Sequence, residues 1–224
     1  MRKLSREKRS MVLNALVEGT SVSATARMCR VSKLTVLRLL ADVGSLCRDF
    51  HDVTVRELRP QRVQVDEIWS FVGCKEKAKA QGAGGHGDAW VWVAIDADSK
   101  LCVSYLVGTR DAECANAFMG DVAERIVTRV QLTSDGHRSY LDAVENAFGI
   151  ADVDYAQLVK LYGEAPGTGP ERKYSPGKCN GSHKVSVFGL PDKKHVSTSY
   201  VERQNLTLRM GPVTGRPNIH RRRW

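Results

Sequence analysis

The chain has no run of eighteen apolar residues, so nothing in its 224 residues is long enough to cross a bilayer as a helix. It has no CxxC pair either. Its six cysteines stand singly, at Cys29, Cys47, Cys74, Cys102, Cys114 and Cys179, which argues against a zinc finger and gives no reason to assume disulfides. Single thiols in a reducing cytosol are the plain reading. The opening MRKLSREKRS leads into charged, amphipathic sequence rather than an apolar stretch, so no secretory leader is expected. Acidic charge is also in short supply, and unevenly. Residues 1–60 carry 12 Lys and Arg against 6 Asp and Glu, whereas the remaining 164 carry 22 against 19, within a net charge of +9. A basic excess gathered in a short N-terminal piece points to a polyanionic partner. At 42% hydrophobic residues, the chain has enough apolar sequence for a packed core.

The basic front end reads as helical. Leu13, Leu16 and Val17, with Val12 adjacent, recur at helical spacing before Gly19. Ser21 is an N-cap candidate for a helix carrying Ala24, Ala26 and Met28, and Ser32 for a second helix burying Val36, Leu37 and Leu40. Two short helices, a tight turn and a polar second face describe a helix-turn-helix over residues 1–48. In that arrangement Thr35 and Arg38 reach base edges, and Ser32 and Lys33 lie by the backbone. The competing reading is a three-helix bundle whose polar side faces water. Residues 49–60 are expected to be a linker ending at Pro60.

Beyond Pro60 the pattern changes to strands. RVQVDEIWSFVG predicts a strand from about Arg62 to Val72 with Asp66 and Glu67 in its middle, where acids are rare and costly unless paired. DAWVWVAIDADSKLCVSYLVGTR predicts a hairpin turning at Asp98, Ser99 and Lys100. A helix through Ala117, Phe118, Val122 and Ile126 follows, then a short strand ending at Asp135, a helix stopped by Gly149, a strand over DYAQLVKLY, a Gly/Pro/Lys-rich loop over 163–183, and a last helix. This order suits a five-stranded mixed α/β sheet of the ribonuclease-H-like architecture over residues 61–210.

In such a sheet the first and fourth strands are neighbours, so Asp66 and Asp135 converge, and the last helix brings Glu202 across to them. Glu202 shares a stripe with Leu206 and Met210 at spacing four, an odd place for an unpaired carboxylate. Three clustered carboxylates repel one another, and Mg²⁺ or Mn²⁺ relieves the repulsion. Two such ions, roughly 3.5–4 Å apart, suit in-line phosphoryl displacement. Each acid has a plainer alternative: Asp135-Gly136 as a simple turn, Glu67 or Asp96 as the strand acid instead of Asp66, and Glu202 paired with Arg203 or Arg209.

The stretches VDEIWSFVG, TSDGHRSY and YVERQNLTLR, preceded by the helix-turn-helix pattern, resemble transposases of the first-numbered bacterial insertion-sequence family, within the DDE recombinases. The resemblance covers residues from about 20 to 210. It implies metal-dependent cleavage and strand transfer at terminal inverted repeats, with Asp66, Asp135 and Glu202 as catalytic acids and metal ligands. It further implies Arg203, Asn205 and Arg209 near DNA phosphates, a homodimer on double-stranded DNA, and a cytoplasmic, nucleoid-associated bacterial protein without a membrane. Three departures stand out. A cysteine-rich N-terminal segment found in some relatives is missing, and the stretch from Asp135 to Glu202 is longer than in the shortest members. The tail GPVTGRPNIHRRRW at 211–224 stands where relatives continue with helix and a basic, aromatic region. Its Gly-Pro pairing predicts a helix stop near Met210 and a truncated or frame-shifted reading frame. A non-catalytic DNA-binding repressor of transposition, and a structure-selective nuclease on the same fold, are the alternatives.

Overall fold

The structure, a computed structural model, describes residues 4–76, 87–163 and 179–210. The expected tail at 211–224, most of the glycine-rich loop after Gly73 and most of the loop expected over 163–183 lie outside the described residues. Two compact units are present, one built around the N-terminal helices and the other around Glu57–Trp69 and Asp88–Glu202.

The N-terminal unit holds α1 (Arg6–Val17), α2 (Val22–Met28) and α3 (Lys33–Thr54). Each begins where a serine hydroxyl accepts an otherwise unsatisfied amide of the first turn: Ser5 from Lys8, Ser21 from Ala24 and Ser32 from Thr35. Val12, Leu16, Ala26, Cys29 and Val36 form the core, with Val22, Val31, Leu39 and Leu40 packed around it. The apolar faces are set differently from the expectation at three positions, since Val17, Met28 and Leu37 are exposed. Val12 and Leu16, four apart, define the buried face of α1, and Val17 lies off it. Helix α3 runs on to Thr54, so half of the expected linker is helical.

The second unit is a mixed α/β layer. Its strands are β1 (Arg62–Val72), β2 (Gly87–Asp96), β3 (Cys102–Gly108), β4 (Val130–Asp135), β5 (Val153–Tyr162) and β6 (Cys179–Phe188), in the order β3-β2-β1-β4-β5-β6. Helices α4 (Ala112–Arg125) and α5 (Ser139–Phe148) connect β3 to β4 and β4 to β5, and α6 (Ser199–Met210) follows the sheet. Strands β2 and β3 are antiparallel, β4 is parallel to both β1 and β5, and β6 returns antiparallel to β5. β1 and β4 are neighbours, as expected for the ribonuclease-H-like sheet. The expectation of five strands is corrected to six: β6 lies partly in what reads as a loop, because its residues are mostly polar and exposed and it needs no alternating apolar face.

Alternation along β1 divides the sheet into two faces. Val63 and Val65 enter the core with Trp92, Leu132 and Tyr155 from neighbouring strands and with Phe118, Met119, Val122, Tyr140, Ala143 and Val144 from α4 and α5. Gln64, one residue out of phase, points to the opposite face. There its buried carboxamide oxygen accepts the Tyr200 and Val201 amides at 2.9 and 3.2 Å. A strand side chain thereby satisfies two first-turn donors of α6 and fixes the start of that helix against the sheet. Lys100 Nζ lies 3.2 Å from the centre of the Tyr200 ring and adds a cation–π contact at the same helix end.

Candidate active site

The β1–β4 register pairs Arg62 with Gln131, Val63 with Leu132 and Gln64 with Thr133. Carried two residues further, the same register sets Asp66 opposite Asp135, on the face that Gln64 shares with α6. Parallel pairing keeps partners on one face, so two half-buried carboxylates stand side by side. Asp135 is the last residue of β4, and its Oδ1 accepts the His137 amide at 2.9 Å, which fixes the carboxylate at the strand end. Gly136 follows under a close approach, since a Cβ there would lie 3.2 Å from Val159 Cγ2. One oxygen from each of Asp66, Glu67 and Asp135 lies within 4.8 Å of the others. Among the described residues this is the group of acids suited to holding a metal ion.

The three acids are not equivalent. Glu67 is buried, and both its oxygens have partners. Oε1 receives Arg110 through Nε at 2.7 Å and Nη2 at 2.5 Å, and Oε2 receives the Tyr140 hydroxyl at 3.0 Å. Arg110 in turn lies over the Trp90 ring, 4.7 Å from its centre. Burial, then the charges of Glu67, Asp66 and Asp135, pushes the Tyr140 hydroxyl well above the ordinary tyrosine value, so it stays a protonated donor. Glu67 therefore serves a structural ion pair beneath the site, and Asp66 and Asp135 are the acids presented on the α6 face. Asp96, the other strand acid weighed from sequence, is used locally: its oxygens accept the Asp98 amide at 3.0 Å and the Ser99 hydroxyl at 2.5 Å in the β2–β3 turn.

Glu202 stands in the first turn of α6, on the face of the sheet that carries Asp66, but outside the 4.8 Å group. Its Oε1 accepts Lys160 Nζ at 2.6 Å and the Thr198 hydroxyl. Its ion-pair partner is Lys160, from β5. The β4–β5 register pairs Asp135 with Leu158, so Lys160, two residues on, lies on the same face as Asp135. Burial pulls the Lys160 ammonium down. The hydrogen bond and charge of Glu202, helped by Asp66, more than offset this, so the group sits above the ordinary lysine value and is a cation at neutral pH. Sequence reasoning missed Lys160. The available signal was a charge inside the otherwise apolar run LVKLY, the same anomaly that marked Asp66.

The remaining expected contacts are distributed as follows. Ser32, Lys33 and Arg38 are exposed on α3 and Thr35 is half-buried. The Ser32 hydroxyl is engaged at the helix start with both the amide and the hydroxyl of Thr35. Arg203 and Arg209 are exposed on α6, whereas Asn205 is buried.

A divalent cation suits this donor set at Asp66 and Asp135: two carboxylates at one level, anchored by strand register, with oxygens close enough to share an ion. Glu202 has the right chemistry and the right face, and its carboxylate is held by an ammonium group.

No protein-family model matches the sequence, and no curated protein matches it. Solved structures do. A Mos1 transposase paired-end complex with the left transposon end, and a Mos1 mariner paired-end complex with Mn, each align with 69% of this chain and 60% of theirs, at 14% identity and a TM-score of 0.29. A piggyBac transposase synaptic complex with hairpin DNA aligns with 92% of this chain and 59% of its own, at 10% identity and a TM-score of 0.43. The chain thus spans about three fifths of the length of these solved chains.

Proposed function

We propose that the protein is a DNA transposase of the DDE type, of the first-numbered insertion-sequence family, that cleaves and joins DNA at the inverted repeats of its element. The observation that carries this reading is the proximity of Asp66 and Asp135, with oxygens within 4.8 Å on adjacent parallel strands, and the helix bearing Glu202 anchored on the same face through Gln64. A sheet that merely needed to be stable would have no use for two adjacent half-buried carboxylates there.

Asp66, Asp135 and Glu202 would hold the metal. Bound Mg²⁺ or Mn²⁺ would activate the attacking oxygen and stabilise the leaving one during in-line displacement at phosphorus. The protein's part is positioning. Strand register sets the spacing of the two aspartates, the His137 amide orients Asp135, and Arg110 with Tyr140 keeps Glu67 turned away from solvent. Ser32, Lys33, Thr35 and Arg38 at the start of α3, and Arg203, Asn205 and Arg209 on α6, are the groups proposed to contact DNA. Water, and then the freed 3′-hydroxyl, would be the nucleophiles, so no covalent protein–DNA link is required. Two protomers on two element ends are part of the same proposal.

The Lys160–Glu202 pair favours a second reading, a DNA-binding repressor of transposition whose third acid is kept from a metal. An assay on end-labelled duplex carrying the element's terminal repeats separates the two. Metal-dependent nicking by the wild-type protein supports the transposase; binding with no nicking in either Mg²⁺ or Mn²⁺ supports the repressor.

A further inference from the structure

We propose that Lys160 is a displaceable counter-ion: in the metal-free protein its ammonium occupies Glu202, and it must release that carboxylate when a divalent ion loads. This rests on the transposase reading, in which Glu202 is a metal ligand. Three observations bring it about. Lys160 Nζ lies 2.6 Å from Glu202 Oε1, and the Thr198 hydroxyl donates to the same oxygen, so Glu202 is fixed by groups that have no place in a loaded site if both its oxygens turn to the ion. Lys160 shares a sheet face with Asp135 and feels the charge of Asp66, so its ammonium neutralises the acids that would otherwise repel one another. The side chain is partly open to water, 31% exposed beside a 39% exposed Glu202, so it can move out without stranding a buried charge.

The choice of lysine fits this role. An arginine would bind a carboxylate through a rigid fork, while a lysine is a point charge on a flexible stem that holds an acid without locking it. The groups facing Lys160 are Glu202 and Thr198 from around the start of α6, Asp66 from β1, and Tyr162 from its own strand. The first three belong to, or touch, the proposed metal site. A dication at Asp66 and Asp135 repels the ammonium and competes with it for Glu202, so metal and Lys160 exclude each other at that carboxylate.

The test is a Mn²⁺ titration of the DNA-free, full-length protein, with free ion read by electron paramagnetic resonance. Lys160→Met is expected to bind Mn²⁺ about three- to tenfold tighter than wild type, the range expected for releasing a partly exposed ion pair. Lys160→Arg, which keeps the charge, is expected to show no such gain. Asp66→Asn and Asp135→Asn should lose the ion in either background. Equal or weaker binding by Lys160→Met, with binding still dependent on Asp66 and Asp135, overturns the counter-ion role and leaves the transposase reading standing. Binding that ignores Asp66 and Asp135 overturns both. A second measurement needs no variant: reductive methylation of the wild-type protein, read at Lys160 by mass spectrometry. Faster labelling with Mn²⁺ present supports displacement, and an equal or slower rate overturns it.

Discussion

At the scale of single residues, Asp66 and Asp135 are the acids proposed to act, and Glu67 is the acid held in a buried ion pair. On the transposase proposal, Asp66→Asn or Asp135→Asn should reduce metal-dependent nicking by a factor of about 10³ or more, because each removes a charge from the proposed cation site, while DNA binding in a gel-shift assay stays near wild type. Nicking by either variant at the wild-type rate would remove it from the catalytic set. Glu67 predicts a different phenotype. Arg110→Ala strands a buried carboxylate and should cost about 1–3 kcal/mol in urea unfolding, reduced from the fully buried case by the exposure of the arginine. The double variant with Glu67→Gln should cost less than the sum of the single variants; strict additivity would show that the pair is not coupled. From sequence, Asp66 is singled out because a carboxylate is out of place in an apolar strand, and Asp135 because it ends the next paired strand. Glu67 stays an alternative to Asp66, since adjacent strand residues face opposite ways and only the packing of α5 decides which side is core. Lys160 carries the same signal, a charge in an apolar run, but what it pairs with is set by α6 and is not visible in the strand itself.

At the scale of elements, the ends of β4, β5 and β6 are tied by one carboxylate. Asp154 accepts Arg129 at 2.9 and 2.6 Å and the Leu190 amide at 2.8 Å, joining the approach to β4, the start of β5 and the exit of β6. The Arg129 hydrogen bond, opposed by burial and aided by the Leu190 amide, holds the Asp154 carboxyl below the usual carboxylate range. A depressed folded value means that the stabilisation is present above the ordinary value of about 4 and is lost as pH falls through the folded one. Asp154→Asn should therefore lower Tm at pH 7, with the gap to wild type narrowing below about pH 4 as the wild-type carboxyl is protonated. A gap that stays constant with pH would mean that the ion pair contributes nothing. Strands β1 to β5 were legible because each must bury apolar side chains on the core face. Strand β6 was not, since an exposed edge strand is held by backbone pairing to β5 and its sequence is free to be polar. The end of α3, residues 49–54, likewise reads as linker because its side chains are largely exposed and carry no burial pattern.

At the scale of the whole molecule, charge and chemistry are separated along the chain. The basic excess lies in residues 1–60, and the paired acids lie in the sheet unit. Among the described residues no helix is long and apolar enough to cross a membrane. DNA affinity of the full chain should fall steeply with salt, and Lys33→Ala or Arg38→Ala should each flatten the log–log slope by about 1 if that residue contacts a phosphate. A slope unchanged in both variants would place the DNA elsewhere. The central claim is that Asp66 and Asp135 share a divalent cation. Anomalous scattering from crystals of the protein soaked in Mn²⁺ tests it most directly. The account predicts a peak between those two carboxylates that disappears in Asp135→Asn crystals; a protein that binds Mn²⁺ elsewhere, with no peak between them, would contradict it.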